Sequence, residues 1–265
     1  MADDQKARFA TGIQVQMRSI HALMIRDMML RYGRDNIGFL WVVLEPMVLT
    51  ACVLVMYAQL KGGYVHGTHV ISMVLTGYMP LTMWRHTSNT GVFMFRKSMS
   101  MLYHRNITLL DVWLARMALE GIGTTAALTA VSSVLLAADV IAPVQKPGHV
   151  VAAWLLLWWL GSAVALITAC VTELNEMSER LIQPMQYMLV PLSGIFFMVD
   201  WMPETLQKAL VYNPLTNCIE LFRDGFFGDD VTTHYFPWYP VQWALVLTWL
   251  GLALLGRVKN RMAAS

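Results

Sequence analysis

The chain has 265 residues with a formal net charge of +2, and 57% of its residues are hydrophobic against 14% that are charged. An ordinary soluble domain carries roughly 25% charged residues, and the mean hydropathy here is +0.50. These values exclude a soluble enzyme and predict an all-α integral membrane protein.

The first 36 residues are polar and charged. They contain no short apolar core ahead of a small-residue cleavage site, so the first membrane span is expected to start insertion itself. The spacing of their apolar residues predicts an amphipathic interface helix on the membrane surface, while a helix packed on a partner protein remains an alternative. The residues at this spacing are Ile13, Met17, Ile20, Met24 and Met28.

Six later stretches have the length and composition of membrane spans, about 20 apolar residues each. Together they make residues 37–265 a six-helix transmembrane domain behind the interface helix of residues 1–36. The predicted spans are residues 37–60, 70–95, 111–138, 150–171, 181–199 and 238–256.

The second predicted span is unusual because a polar stretch follows its apolar run. Arg85 to Asn89 follow an apolar run, and such residues are tolerated in a membrane where they face protein or a water-filled cavity. No acidic residue lies three or four positions from Arg85, which is expected to face an aqueous path or a dimer interface. Arg116 and Glu120, four apart in the third span, are expected to neutralise each other.

Basic residues near span ends stay in the cytoplasm. With the N-terminus inside, thirteen Lys and Arg residues fall on the cytoplasmic side and four outside, which predicts cytoplasmic termini. Residues 200–237 then lie outside. Their apolar runs are broken by Pro203, Asn213-Pro214, Gly225 and Gly228, which favours short re-entrant helices before the last span.

The sequence contains no recognisable nucleotide-binding, catalytic or metal-binding motif. Gly62 and Gly67 have the Walker A spacing, but Thr68 stands where lysine is required, so ATP and Mg²⁺ are expected on a partner chain. We expect no catalytic residues, no metal site and no cofactor bound by this chain. Three separated cysteines suggest neither disulfides nor zinc.

A set of short motifs resembles the permease family of ABC-2-type exporters, and in particular the transmembrane subunit of capsular polysaccharide exporters. In that family an arginine-rich interface helix precedes a first span with a Gly-aromatic-Leu-Trp and a Glu-Pro motif. The matching residues are Arg26-Asp27, Arg31 to Arg34, Gly38 to Trp41, Glu45-Pro46, Arg96 to Arg105, Asp111 to Arg116, Tyr212 to Leu215 and Glu220 to Arg223.

The resemblance implies a homodimer in the bacterial inner membrane, powered by two cytoplasmic ABC ATPase subunits. It further implies a lipid-linked polysaccharide as cargo, a periplasmic adaptor and an outer-membrane exporter as partners, and no nucleic acid. It places the ATPase contact on the interface helix and on the connection around residues 96–108. The residues expected to take part in this coupling are Arg26, Arg96, Lys97, Met101, His104 and Arg105.

A sliding polysaccharide needs flat aromatic surfaces with polar tips, and an anionic lipid linker needs cations. These requirements define a predicted substrate path. Its residues are Arg31, Arg34, Trp41, Tyr57, Tyr78, Trp84 and Arg85.

Three other functions remain open on sequence. The same fold could export O-antigen, teichoic acid or a small hydrophobic drug. A membrane-embedded enzyme acting on lipid-linked sugars would need paired acids or a metal-ligand cluster at one membrane face, whereas the carboxylates here are scattered. A passive scaffold would not need the polar residues Arg85 to Asn89.

Overall fold

The computed structural model describes residues 2–32, 38–61, 64–65, 68–99 and 107–264. Within these ranges the regular secondary structure is helical apart from one small antiparallel hairpin, in which Tyr64 lies opposite His69 and Val65 opposite Thr68. In chain order the elements are α1 (Ala2–Tyr32), α2 (Gly38–Lys61), β1 (Tyr64–Val65), β2 (Thr68–His69), α3 (Val70–Asn89), α4 (Leu109–Ala137), α5 (Pro147–Leu174), α6 (Glu179–Leu192), α7 (Glu204–Val211), α8 (Pro214–Phe227) and α9 (Trp238–Ala264).

Three helices among the described residues are long and apolar enough to cross a membrane: α4, α5 and the part of α9 up to Arg261. In α2 the apolar stretch is shorter and runs from Val43 to Tyr57. The chain is therefore an α-helical membrane protein, as the composition predicts.

Local sequence signals set the helix starts. Thr108 and Asp111 form a reciprocal capping box at the start of α4, which satisfies two backbone donors that a helix start leaves open. Pro147 opens α5 and Pro214 opens α8 behind the Asn213 side chain, which accepts a hydrogen bond from the Leu215 N–H. Proline suits a first helical position because it has no N–H to satisfy.

Two helices are shorter than the predicted spans. Instead of continuing to residue 95, α3 ends at Asn89 and passes into a turn in which Phe93 has a φ of 53°. Instead of continuing to residue 199, α6 ends at Leu192, one residue after Pro191 and just before Gly194, whose φ is +78°. Neither backbone conformation is helical, and the hydropathy of the flanking residues did not reveal these turns.

Most of the buried apolar residues in the described part of the chain belong to two clusters. One, at the end of the bundle that carries α1, joins Leu23 of α1 and Phe95 of the turn to α4, α5 and α9. The other, at the end that carries α8, joins α3, α4, α5 and α8 around Trp84, Leu157 and Phe222. We call these two ends the α1 end and the α8 end. In the middle, α5 packs against α3, α8 and α9.

Candidate functional site: a charged cavity at the α1 end

A cavity of about 580 Å³ lies between α1, α2, α3 and α4. Its wall carries both signs of charge and also includes Tyr78, Thr82 and Asn89. The acidic residues are Asp27, Glu45 and Glu120, and the basic or titratable ones are Arg85, His86, Lys97 and Arg116.

The basic wall of the cavity is centred on Arg116 of α4. Its Nε donates to Asp27 Oδ2 of α1 at 2.9 Å, and its Nη2 donates to Ser98 Oγ at 3.3 Å. The Arg116 and Asp27 side chains are 11% and 8% exposed. Asp27 is also paired with its neighbour Arg26 at 2.7 Å. Two guanidinium groups therefore compensate one buried carboxylate.

The acidic wall is centred on Glu120, one helical turn beyond Arg116. His86 Nδ1 lies 3.2 Å from Glu120 Oε2, and the Thr90 hydroxyl donates to Glu120 Oε1 at 3.1 Å. The Glu120 side chain is 5% exposed. Arg116 and Glu120 thus each have a partner on another part of the chain, in addition to the neutralisation expected from their four-residue spacing.

The polar third of α3 satisfies many of its hydroxyl groups within its own helix. Thr82, Thr87 and Ser88 donate to carbonyl oxygens of the preceding turn, at 2.9, 2.8 and 2.6 Å respectively. Such bonds let hydroxyl residues lie in a membrane helix without a partner elsewhere. Arg85 and Asn89 stay exposed and face the cavity.

A second, small and apolar pocket of about 40 Å³ lies further towards the α8 end. Tyr57, Val74, Phe196 and Trp201 line it. Tyr78 lines both this pocket and the charged cavity. The two therefore follow the same α2–α3 surface.

The structure places the predicted substrate-path residues in different environments. Tyr78 and Arg85 line the charged cavity, and Tyr57 lines the second pocket. Trp41 is 51% exposed, whereas Trp84 is only 4% exposed within the α8-end cluster. Arg31 falls in the last turn of α1, and Arg34 lies outside the described residues.

Two of the predicted coupling residues lie at the charged cavity. Lys97 lines the charged cavity and Arg26 holds Asp27 at its edge. Arg96 is exposed, with its guanidinium carbon 5.3 Å from the centre of the Phe93 ring, a favourable cation–π distance. Met101, His104 and Arg105 lie outside the described residues.

Sequence reasoning missed the contacts that organise this site. Asp27 and Arg116 are 89 residues apart, and His86 and Glu120 are 34 apart. One available signal was the number of charged residues inside spans, because a membrane helix keeps such residues only where partners or water compensate them. Which residues pair required the fold.

The α8 end has a second set of polar contacts. Lys146 and His149, at the start of α5, both bind Asp224 of α8, and Tyr235 donates to the same carboxylate. The Lys146 N–H also donates to the Gly225 carbonyl at 2.8 Å. We call the side chains of Lys146, His149, Asp224 and Tyr235 the α5–α8 clasp. Burial tends to raise the pKa of Asp224, but the hydrogen bond with His149, the Lys146 charge and the Tyr235 hydroxyl hold this pKa below its ordinary value.

We expect Asp224→Asn to lower the free energy of unfolding by about 1 to 2 kcal/mol at pH 7, because it weakens charge-assisted hydrogen bonds. A folded-state pKa below the unfolded value stabilises the fold above about pH 4, and this contribution is lost as the pH falls through the folded-state pKa. Thermal unfolding of the purified chain in detergent should show a lower midpoint for the variant at pH 7 and a smaller difference below pH 4.

The matched control for this variant is Asp139→Asn. Asp139 is exposed and has a φ of 53°, a conformation that asparagine also tolerates. The control should unfold like the wild type. Equal midpoints for Asp224→Asn and Asp139→Asn at pH 7 would show that the clasp adds no stability.

Among the described residues no group of three His, Cys, Asp or Glu side chains is placed to hold a metal ion. The charged cavity instead offers paired charges, hydroxyls and one aromatic face. Such a surface is suited to binding and release of a polar molecule.

The ABC-2 type transporter family model matches residues 18–227. Over 260 residues, 97% of each chain, the sequence is 35% identical to the capsule polysaccharide export inner-membrane protein CtrC of Neisseria meningitidis serogroup A. It is 32% identical to the capsule polysaccharide export inner-membrane protein BexB of Haemophilus influenzae, over 96% of this chain and 95% of the relative. It is 24% identical to the polysialic acid transport protein KpsM of Escherichia coli, over 96% of this chain and 99% of the relative.

The chain therefore belongs to the ABC-2 type transporter family. The resemblance stated from the sequence motifs is confirmed, and so is the predicted localisation in the bacterial inner membrane. The matched region begins within α1 and ends with the last residue of α8, so it includes the residues of both cavity walls.

Proposed function

We propose that this chain is the permease subunit of an ATP-driven exporter that moves lipid-linked capsular polysaccharide across the inner membrane. The observation that carries the proposal is the similarity to a capsule export protein over 97% of both chains. The charged cavity supports it, because an anionic lipid linker needs cations such as Arg85 and Lys97 beside hydroxyls that bind sugars.

In the topology we propose, α2, α3 and α6 join the three long apolar helices to make six spans. Both termini lie in the cytoplasm, which puts the α1 end inside and the α8 end outside. At 14 residues α6 is about 21 Å long, shorter than the roughly 30 Å hydrocarbon core. The turn after Leu192 and the re-entrant helices α7 and α8 would fill the remaining depth.

We further propose a homodimer whose substrate path runs between the two copies. Support comes from α6, on which Leu181, Met185 and Met188 are 68%, 65% and 68% exposed. On α2, Val55 and Met56 are also exposed. A second copy would cover these faces and enclose the α2–α3 surface that carries Tyr57, Tyr78 and Arg85.

Two ABC ATPase subunits, with their ATP and Mg²⁺, would dock on the α1 end. The exposed side chains of Arg96 and Lys97 and the amphipathic helix α1 offer them a basic surface. A periplasmic adaptor and an outer-membrane exporter would continue the path beyond the α8 end.

The first test is to co-express the chain with its ATPase, purify the complex into lipid nanodiscs and measure ATP hydrolysis. The second is to express the chain in cells that lack the native permease and to measure surface capsule. We expect the wild type to copurify with the ATPase and to restore capsule. The double reversal of Arg96 and Lys97 to Glu should lower copurified ATPase and capsule at least about tenfold, because it inverts the docking charge.

Lys208→Glu is the matched control, since it reverses one exposed lysine on α7 at the opposite end of the chain. It should behave like the wild type. If the wild type restores no capsule but restores O-antigen, teichoic acid or drug efflux, the proposed cargo is wrong and the exporter mechanism stands. If no ATPase copurifies, the exporter mechanism is wrong.

A further inference from the structure

The interface helix α1 is attached to α4 at two separate points. Gln16 Nε2 donates to Asp111 Oδ1 at 2.9 Å, and Asp27 pairs with Arg116 at 2.9 Å. Between these points the Leu23 side chain, 3% exposed, packs into the α1-end cluster. A tilt or shift of α1 must therefore either move the first turns of α4 or break a buried ion pair.

The same part of α4 is attached to the end of α3 and to the turn that follows it. Glu120 binds His86 of α3 and Thr90, the first residue beyond α3. Arg116 binds Ser98, which is fully buried in the turn. A displacement of α4 is thus passed to the last turn of α3, next to the cavity residue Asn89.

These links are stiff because the groups that form them are withdrawn from water. Asp27, Arg116 and Glu120 are each 5–11% exposed, and an ion pair in such a place strongly resists separation because each half would be left uncompensated. All three side chains also line the charged cavity. The contacts that hold the helices together are therefore part of the cavity wall.

We propose that Arg116 and Glu120 are positioning residues through which a movement of α1 reaches the α3 wall of the charged cavity. The inference rests on the proposed function, in which an ATPase moves α1. Arg116 takes up the movement through Asp27, and Glu120, one turn further along the same helix, passes it to His86 and Thr90. ATP use at one end of the chain would in this way reshape the cavity.

The first measurement follows the α3 wall directly. A cysteine at Asn89, in a chain whose exposed Cys52 is replaced by serine, is labelled with a water-soluble maleimide in the complex with the ATPase, before and after trapping with ATP and vanadate. In an otherwise wild-type chain we expect trapping to change the labelling rate at least about threefold. With Arg116→Gln or Glu120→Gln the change should fall below about 1.5-fold.

The second measurement tests whether Asp27 and Arg116 act as one unit. Asp27→Asn and Arg116→Gln should each lower capsule export at least about tenfold while ATP hydrolysis stays within about twofold of wild type. The double variant should be no worse than either single variant, since residues in one network are non-additive. A residue needed only for folding would instead lower ATPase assembly, ATP hydrolysis and export together.

Arg257→Gln is the matched control, because it makes the same chemical change at an exposed position near the end of α9. It should export and label like the wild type. The inference is overturned if trapping leaves Asn89→Cys labelling unchanged in the wild-type background, if the change persists in Arg116→Gln, or if the Asp27 and Arg116 effects multiply as independent ones.

The two proposals fail in different ways. If the labelling change occurs and depends on Arg116 but the wild type exports no capsule, the coupling inference holds and the proposed cargo is wrong. If the wild type exports capsule but Arg116→Gln exports equally well, the proposed function holds and the coupling inference is wrong.

Discussion

Replacing Arg223 with methionine is expected to lower the free energy of unfolding by about 3 to 5 kcal/mol, because it leaves a buried carboxylate uncompensated. Arg223 and Glu220 of α8 are fully buried, with Arg223 Nη1 lying 3.3 Å from Glu220 Oε1. The same guanidinium donates to the carbonyl oxygens of Gly194, Ile195 and Phe197, at 2.8, 2.9 and 2.7 Å.

Glu220 also accepts hydrogen bonds from the backbone of two further segments. Its Oε1 accepts from the Val199 N–H and its Oε2 from the His234 N–H. One ion pair thus connects the chain after α6, helix α8 and the non-helical segment that leads to α9. Losing Arg223 would remove the hydrogen bonds to the chain after α6 and leave the Glu220 charge uncompensated, so we expect little folded protein rather than a folded but inactive one.

The measurement is the thermal midpoint and the yield of monodisperse protein in detergent. The double variant Glu220→Gln with Arg223→Met is the informative control, because removing both charges costs less than removing one. This double variant should regain part of the thermal midpoint and of the yield that Arg223→Met loses. If Arg223→Met alone unfolds at the wild-type midpoint, the ion pair does not hold the α8 end together.

Adding a single methyl group at Gly91 is the second change with a large expected effect. Gly91 lies in the turn after α3, where its Cβ position would collide with the Ala165 carbonyl oxygen and lie only 2.9 Å from the Ala165 Cα. Backbone atoms of a packed helix cannot move aside as a side chain can. Gly91→Ala must therefore push the turn away from α5.

We expect Gly91→Ala to cost about 2 to 3 kcal/mol of stability, the scale of an overpacked core, and to lower capsule export at least about tenfold. The turn that it displaces carries Arg96, Lys97 and Ser98. Thermal unfolding and surface capsule measure the two effects.

Gly256→Ala is the matched control for Gly91→Ala. Gly256 lies within α9 and has no atom within 4 Å of its Cβ position, so alanine should be neutral or stabilising by up to about 1 kcal/mol. If the two variants have the same thermal midpoint and the same surface capsule, the close approach of the turn to α5 is needed neither for stability nor for export.

The fold class could be predicted from sequence because membrane helices are recognised by length and hydropathy alone. The helices α4, α5 and α9 follow from their apolar runs and from local signals such as Thr108, Asp111 and Pro147. Helix ends were less predictable. The end of α3 depends on how Gly91 meets Ala165, and the end of α6 on a turn that Arg223 caps from another helix. Neither contact is visible in local sequence.

The candidate site could be predicted in part. Arg85 and Tyr78 follow from a polar segment and an aromatic residue inside a span, and both line the charged cavity. Trp84 satisfies the same pattern but points into the apolar cluster, because adjacent residues on a helix face different directions. Hydropathy carries no information on which face meets a neighbour, so Asp27 and Glu120 could not be assigned to the site.

The size of the charged cavity sets a limit on molecular selection. A volume of about 580 Å³ is that of a pocket for one drug-sized molecule, whereas a capsule polymer is far larger. A protomer of the proposed exporter would therefore contact only a few sugar units or the linker at any moment. Such a transporter would distinguish cargo by the chemistry of one short segment, and the enzymes that synthesise the polymer would determine its length.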